Sequence, residues 1–150
     1  TPASAAETPK PFPPPPGNDA SPEAIVKTLY DAYHIDPNYD YLGDKLRPRY
    51  FTAVMADLIK RVFIKSEAQN EPGIDYEPLI DGQEGDVKDL NIVVTSNAPK
   101  KATVEARFKS FGDKTTVIFD FVQEANVWKI DDIRTKEGNS LKAVAKDFLQ

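Results

Sequence analysis

The feature that most constrains the fold is a change in the spacing of apolar residues about halfway along the chain. Up to Lys65, apolar residues recur every three or four positions, as they do on one face of a helix. From Leu90 to Ile130 they recur at every second position, as they do on one face of a β-strand. This change predicts helices followed by an antiparallel meander of strands.

Two helices are predicted before the change, and one is predicted after the strands. The first begins at Ser21-Pro22-Glu23, with Ser as the N-cap, Pro at the first helical position and an acid in the first turn, and it ends near His34. The second is predicted from about Leu46 to Lys65. The last lies in "NSLKAVAKDFLQ", where Asn139 or Ser140 can cap it.

Four segments carry the alternation: "DLNIVVTS", "ATVEARF", "TVIFDFV" and "VWKIDDI". The apolar residues predicted to share the helix-facing side are Leu90, Ile92, Val94, Ala102, Val104, Ala106, Phe108, Val117, Phe119, Phe121, Trp128 and Ile130. Helices gathered on one face of a curved antiparallel sheet define an α+β domain. The predicted order is α-α-(β)-β-β-β-β-α, in a single domain over residues 22–150, where the bracketed element is a short strand or a loop.

The first hairpin turn is predicted at Gly112-Asp113, with the glycine supplying a positive φ. A two-residue loop at this place pairs Phe108 with Val117 and Ala106 with Phe119. Every pair on the helix-facing side is then apolar, which supports this register.

The second hairpin turn is predicted at Ala125-Asn126, which pairs Phe121 with Ile130. Continued without interruption, the same register places Asp132 and Arg134 at the far end of the helix-facing side. We expect these two side chains to form an ion pair there, because a neighbouring Arg favours the charged form of an Asp.

The opposite face of the sheet is predicted to carry a row of acids. Glu105, Asp120 and Asp131 fall on it, with Arg107 and Lys129 placed to neutralise them. Adjacent carboxylates tolerate exposure better than burial, so this row is predicted to be a solvated face or a surface for a partner.

Residues 1–21 are predicted to be a flexible Pro-rich tether. They hold seven of the 13 prolines and one large apolar residue, Phe12, a composition that favours polyproline II. We expect a spacer, with a ligand for a proline-binding groove as the alternative, and Phe12 is the side chain able to pack back onto the domain. Its Ala, Pro and Thr content is typical of exported proteins, so we predict a periplasmic or extracellular location, with membrane tethering through this segment as an option.

Composition excludes several classes of function. The chain has no cysteine and a single histidine, His34, which removes thiol chemistry, thiolate sites and multi-histidine metal sites. A net charge of -5 without a basic stripe argues against nucleic acid, and no apolar run approaches the roughly 20 residues that span a bilayer. We predict no cofactor, no metal, no nucleic-acid partner and no transmembrane segment.

The segment "IDYEPLIDGQEGD" joins the helical half to the strands. Its acids lack the regular spacing of oxygen ligands, so we predict a shaped connector and not a metal loop. Leu79 and Ile80 are expected to pack inward or against the second helix, and Asp81 and Gln83 are expected to hydrogen-bond to the backbone.

Two motifs resemble a known family. The run from Asp75 to Gln83 is similar to a D-P-hydrophobic-x-x-Q segment, with Glu77 in the place of the acid, and Trp128 to Ile133 is similar to a W-x-I-x-D-I strand. With the element order, they resemble the nuclear transport factor 2-like superfamily, and within it the bacterial family called domain of unknown function 3828. The resemblance covers about Ser21 to the C-terminus. It implies helices over a strongly curved sheet that forms an open cone, and it implies an exported bacterial envelope protein.

The resemblance implies isomerases, dehydratases or non-catalytic binding modules, so it leaves the activity open. We predict a non-catalytic envelope protein that binds a protein partner or a small apolar ligand, with Asp132, Arg134, Tyr30 and Tyr33 lining the mouth of the cone. A lyase or isomerase, with Asp132 as base and a tyrosine as acid, is the first alternative. An inhibitor or immunity-type protein that uses the acidic row is the second. A homodimer is compatible with each of them.

Overall fold

The computed structural model describes residues 12–83 and 85–150 of the chain. The first 11 residues of the predicted tether and Glu84 lie outside the described residues. The elements, in chain order, are α1 (Pro22–Ile35), α2 (Arg47–Tyr50), α3 (Ala53–Gln69), β1 (Lys88–Asn97), β2 (Lys101–Ser110), β3 (Asp113–Glu124), β4 (Val127–Thr135) and α4 (Leu141–Leu149). The predicted α+β class and the order of helices, four strands and a final helix are confirmed.

Side-chain caps set the starts of the three longer helices. The Ser21 hydroxyl accepts a hydrogen bond from the Ala24 amide at the start of α1, and the Ser140 hydroxyl does the same for Ala143 at the start of α4. The predicted second helix is divided in two. Thr52 adopts an extended conformation and caps α3, and its amide donates to the carbonyl of Ile130 on β4, which ties this break to the sheet.

The sheet is antiparallel, in the order β1-β2-β3-β4. The helices bury its apolar side, and the core joins residues of α1, α3 and α4 to that side. Sheet residues buried in this core are Ala102, Val104, Ala106, Phe108, Val117, Phe119, Phe121, Ile130 and Ile133.

The first hairpin turn lies one residue earlier than predicted. Phe111 and Gly112 form the loop, both with positive φ (50° and 87°), as a tight primed turn requires. Phe108 therefore pairs with Thr115 and not with Val117, a register shifted by two residues. Because side chains alternate with a period of two, the same apolar residues still face the helices.

The second hairpin turn lies at Ala125-Asn126, as predicted, and Phe121 pairs with Ile130. Beyond this pair the prediction is wrong, because Asp120 pairs with Asp132 and Asp131 is an extra residue on β4. Such a β-bulge reverses the facing of the residues that follow it.

The bulge moves two predicted site residues to the opposite face. Ile133 pairs with Phe119, the position predicted for Asp132, while Arg134 pairs with Ile118 on the outer side. Ile130 and Ile133 are both buried although they are three residues apart, an odd spacing that a regular strand cannot place on one face. The bulge therefore lets both isoleucines reach the core and leaves the acid outside.

The described part of the Pro-rich segment contacts the domain. The Phe12 ring lies 4.9 Å from the Tyr39 ring, centroid to centroid. The Arg49 guanidinium donates to the carbonyls of Pro16 and Gly17. Residues 12–17 thus lie along the surface formed by the connector between α1 and α3.

A candidate binding groove

A groove of about 590 Å³ lies between the end of α1 and the segment that joins α3 to β1. We call it the connector groove. Its lining residues are Tyr33, Pro37, Asn38, Leu42, Pro72, Ile74, Asp75, Tyr76, Glu77, Pro78 and Gln83. Tyr33 is the one of the four predicted site residues that lines it. A volume of this size is typical of ligand sites in proteins.

One wall of the groove is a tight loop from Glu77 to Gly82. The Glu77 amide donates to the Gly82 carbonyl at 2.7 Å, and the Ile80 amide donates to the Glu77 carbonyl at 3.2 Å. Asp81 takes a positive φ of 51° to close the turn. These main-chain bonds give the loop a defined shape.

Buried apolar side chains fix this loop to the core. Leu79 and Ile80 are 1% and 5% exposed, so their predicted inward packing is confirmed. The Tyr30 hydroxyl donates to the Leu79 carbonyl at 2.5 Å from a fully buried position. Tyr30 therefore supports the groove from beneath.

Two polar side chains complete the loop. The Gln83 side-chain amide donates to the Asp75 carbonyl, which confirms its predicted bond to the backbone. Asp81 instead accepts from the side-chain amide of Asn139, at 3.4 Å. The second contact links the loop to the turn that precedes α4.

Glu77 is the most constrained acid of the connector groove. Its Oε2 accepts a hydrogen bond from the Tyr41 hydroxyl at 2.5 Å and another from the Leu79 amide at 3.1 Å. Burial raises the pKa of Glu77 above its usual value, while these two hydrogen bonds act in the opposite direction. The carboxylate is thus held in one orientation inside a partly desolvated wall.

Asp75 and Tyr76 also line a smaller neighbouring pocket of about 260 Å³. That pocket is lined by Asp75, Tyr76, Asp81, Asn139 and Val144. Burial and, after it, the charges of nearby carboxylates, with Asp81 first, together raise the pKa of Tyr76 to about 12. The hydroxyl therefore stays protonated at neutral pH and remains a hydrogen-bond donor.

The described charged residues that line the connector groove are all acidic. Among its described lining residues, Asp75 and Glu77 are acidic and none is Lys, Arg or His. The described residues contain no group of three or more acids, histidines or cysteines placed to hold a metal ion. The arrangement is suited to hydrogen bonding and to binding a positive charge.

The structure does not bring the four predicted site residues together. Tyr30 lies beneath the loop and Tyr33 lines the groove. Asp132 accepts from the Ser140 hydroxyl at 2.6 Å and from the Lys142 amide at 2.9 Å, so it holds the start of α4. Its expected ion pair with Arg134 is replaced, because Arg134 pairs with Asp120.

The predicted acidic row is neutralised within the fold. Glu105 pairs with Arg107 at 3.0 Å, and Asp120 accepts two hydrogen bonds from Arg134, at 2.7 and 3.2 Å. Asp131 pairs with Lys142 at 2.7 Å. We call the Glu105–Arg107 and Asp120–Arg134 pairs the outer-face pairs, whereas Asp131, the bulge residue, is bound by Lys142 of α4 and by the Thr52 hydroxyl at the start of α3.

Two basic side chains contact backbone carbonyls of other elements. Lys129, expected to neutralise the acidic row, donates instead to the carbonyls of Pro48 and Arg49. His34 lies near the end of α1, with Nε2 3.1 Å from the Val87 carbonyl. Each ties a helical segment to the strands or to the segment that leads into them.

Glu77, Tyr76 and Tyr41 were not among the site residues predicted from the sequence. The signal available was the run Tyr76-Glu77-Pro78, which places an acid among apolar residues just before a buried turn. An acid at such a place is expected to be held by hydrogen bonds.

No protein-family model matches the chain, and no curated protein matches it significantly. The fold is similar to that of a chain in the type VI native effector–immunity complex Tae3–Tai3 from Ralstonia pickettii. That comparison has a TM-score of 0.56 and 23% sequence identity, over 80% of this chain and 97% of the other. A phospholipid-binding protein from Ralstonia solanacearum gives a TM-score of 0.38 and 15% identity, over 83% of this chain and 70% of the other. None of the helices in the described residues is long and apolar enough to cross a bilayer.

Proposed function

We propose that the chain is a non-catalytic binding protein of the immunity type, which neutralises a partner protein by seating part of it in the connector groove. The observation that carries this proposal is the preformed groove, whose wall holds Glu77 in a fixed orientation. A groove that is ordered before binding loses little further conformational entropy when a partner arrives.

The similarity in fold to a chain of an effector–immunity complex supports the same class of function. The partner is expected to bind at a different surface from the one that the sequence indicated. The sequence favoured the acidic row for an immunity-type protein, but each acid of that row already has a basic partner within the chain. The connector groove, whose described lining residues include no base, is the better surface for this role.

In the alternative interpretation, a lyase or isomerase, Asp132 would act as the general base. Both oxygens of that carboxylate accept hydrogen bonds at the start of α4, so it has less capacity to take a proton from a substrate. Binding without chemistry is therefore the function that this geometry favours. The envelope location belongs to the proposal and rests on the composition of the Pro-rich segment.

Site-specific photo-crosslinking tests the proposal. A photoreactive phenylalanine analogue is placed at Tyr76 in the groove, and at Phe111 on the exposed hairpin tip as the matched control, in cells of the native host. We expect a protein to be captured from position 76 and not from position 111.

The captured protein is then purified and tested by itself. It should bind the unmodified chain in calorimetry and be toxic to bacteria that lack the chain, and co-expression of the chain should remove that toxicity. Capture from position 111 alone, or a captured protein against which the chain gives no protection, would overturn the proposal.

A further inference from the structure

We infer that the group seated in the connector groove is a cationic side chain of the partner, a lysine ammonium or an arginine guanidinium, with Glu77 as its anchor. This inference rests on the proposed function, because it takes the occupant to be a segment of a protein. It adds the chemistry by which that segment is recognised.

The hydrogen bonds of Glu77 define the anchor. Both described bonds to its carboxylate, from Tyr41 and from Leu79, end on Oε2. Oε1 is the acceptor that remains for a ligand in the groove that Glu77 lines. A hydrogen bond between an ionised donor and a carboxylate is about twice as strong as a neutral one.

Charge complementarity selects a cation over a neutral or anionic group. The groove presents Asp75 and Glu77, and Asp81 lines the neighbouring pocket that shares Asp75 and Tyr76 with it. Its described lining contains no lysine or arginine, and the whole chain carries a net charge of -5. An anion would meet only like charges here, whereas a cation would offset the cost of the partly buried Glu77.

The rest of the lining fits the stem of a long basic side chain. Tyr33 and Tyr76 offer ring faces or edges, and cations bind aromatic faces when they lie within about 6 Å of the ring centre. Leu42, Ile74 and Pro72 offer apolar surface for methylene groups. Lys and Arg bury such stems against apolar surface while their charged ends meet polar groups.

The groove offers two carboxylates, Asp75 and Glu77, and Oε2 of Glu77 already accepts two hydrogen bonds, which argues against a metal ion as the occupant. Divalent cations such as Ca²⁺ take about six to eight oxygen ligands. The described residues contain no cluster that would supply them. An organic cation needs one anchor and a shaped pocket, which is what the groove provides.

The test uses three small probes and the ¹⁵N-labelled full chain. N-acetyl-lysine methylamide, N-acetyl-arginine methylamide and the neutral N-acetyl-norleucine methylamide are titrated, and amide shifts at Tyr76, Gln83 and Asn38 are followed by NMR. We expect saturable shifts with the two cationic probes. The norleucine probe should bind roughly tenfold more weakly or worse, because it cannot form the charged hydrogen bond to Glu77.

Three variants locate the anchor. Glu77→Gln should weaken binding of the lysine probe roughly tenfold, and Glu67→Gln, which makes the same charge change on the exposed side of α3, should leave it unchanged. Asn38→Lys brings a cation to the rim without removing any side-chain hydrogen bond given for Asn38. Asn38→Lys should weaken the binding of both cationic probes in a fully folded protein. The test therefore does not depend on the stability of Glu77→Gln.

The outcomes separate this inference from the proposed function. If the norleucine probe binds as well as the lysine probe, or Glu77→Gln and Asn38→Lys leave binding of the lysine probe unchanged, the cationic occupant is wrong. The captured partner can still be neutralised in that case, and the proposed function then stands without the inference. If the lysine probe binds at Glu77 but position 76 captures no toxic protein, the proposed function fails while the cation site remains.

Discussion

The connector groove and the outer-face pairs are both built around carboxylates, but they differ in what those carboxylates meet. On the outer face, Asp120 lies against Arg134 and Glu105 lies against Arg107, so each charge is balanced inside the chain. In the groove, the partners given for Glu77 are a tyrosine hydroxyl and a backbone amide, which orient the charge without cancelling it. An acid that is oriented and not neutralised is available to a partner, and one that is already paired is not.

The largest expected effect on stability comes from removing a hydrogen bond to Glu77 in the connector groove. Tyr41→Phe removes the hydrogen bond to Glu77 and should lower the free energy of unfolding by about 1.5–3 kcal/mol, as loss of a hydrogen bond to a charged group does. Urea denaturation followed by circular dichroism measures it. Tyr39→Phe is the matched control, because it breaks a bond between two neutral hydroxyls at 2.8 Å and should cost about 0.5–1.5 kcal/mol. Equal costs for the two variants would show that Glu77 is not held as a charged group.

A smaller effect is expected on the outer face. Arg134→Met keeps much of the side-chain stem and removes the pair with Asp120, in which the two side chains are 41% and 31% exposed. A pair this accessible to water should contribute about 0.2–1 kcal/mol, and the difference should shrink in roughly 1 M salt. Denaturation of both proteins at low and high salt measures it. A loss that exceeds that of Tyr41→Phe would reverse the ranking of the two regions.

The smallest expected effect is a dependence on pH that belongs to the groove. Burial raises the folded-state pKa of Glu77 above its unfolded value, so the folded form favours the protonated acid. The resulting stabilisation is complete below the unfolded pKa of about 4.3 and is lost as pH rises through the folded pKa. Relative to Glu77→Gln, the wild-type protein should therefore gain stability as pH falls from 7 to 4. The same comparison with Glu67→Gln gives the baseline, and an unchanged difference across this range would contradict the raised pKa.

The face of each strand could largely be predicted from the sequence, because burying apolar residues fixes alternate positions whatever the turn. The first hairpin illustrates this: its register is shifted by two residues, yet Ala106 and Val117 still face the helices. The bulge on β4 could not be placed by simple alternation. In the sequence, the bulge shows only in the odd spacing of Ile130 and Ile133. Burial of both isoleucines overrides the regular pairing, which would have buried Asp132.

The candidate site could be predicted only in part. The groove joins Tyr33 on α1, Leu42 in the following connector and the segment from Pro72 to Gln83, which only the packing of the helices brings together. Periodicity describes one element at a time, so it identified Tyr33 as a candidate and gave no reason to place it beside Glu77. The expectation that Leu79 and Ile80 pack inward succeeded because it depended on local apolar character alone.

The bulge at Asp131 also determines how the C-terminal part of the chain should unfold locally. Asp131 and Asp132 both reach α4, through the Lys142 side chain and through the Ser140 hydroxyl and the Lys142 amide. Strand β4 and helix α4 should therefore open and close as one unit in native-state hydrogen exchange, rather than the helix fraying first. The Lys142 amide, in the first turn of its helix where amides usually exchange fast, should be as protected as its neighbours on the strand.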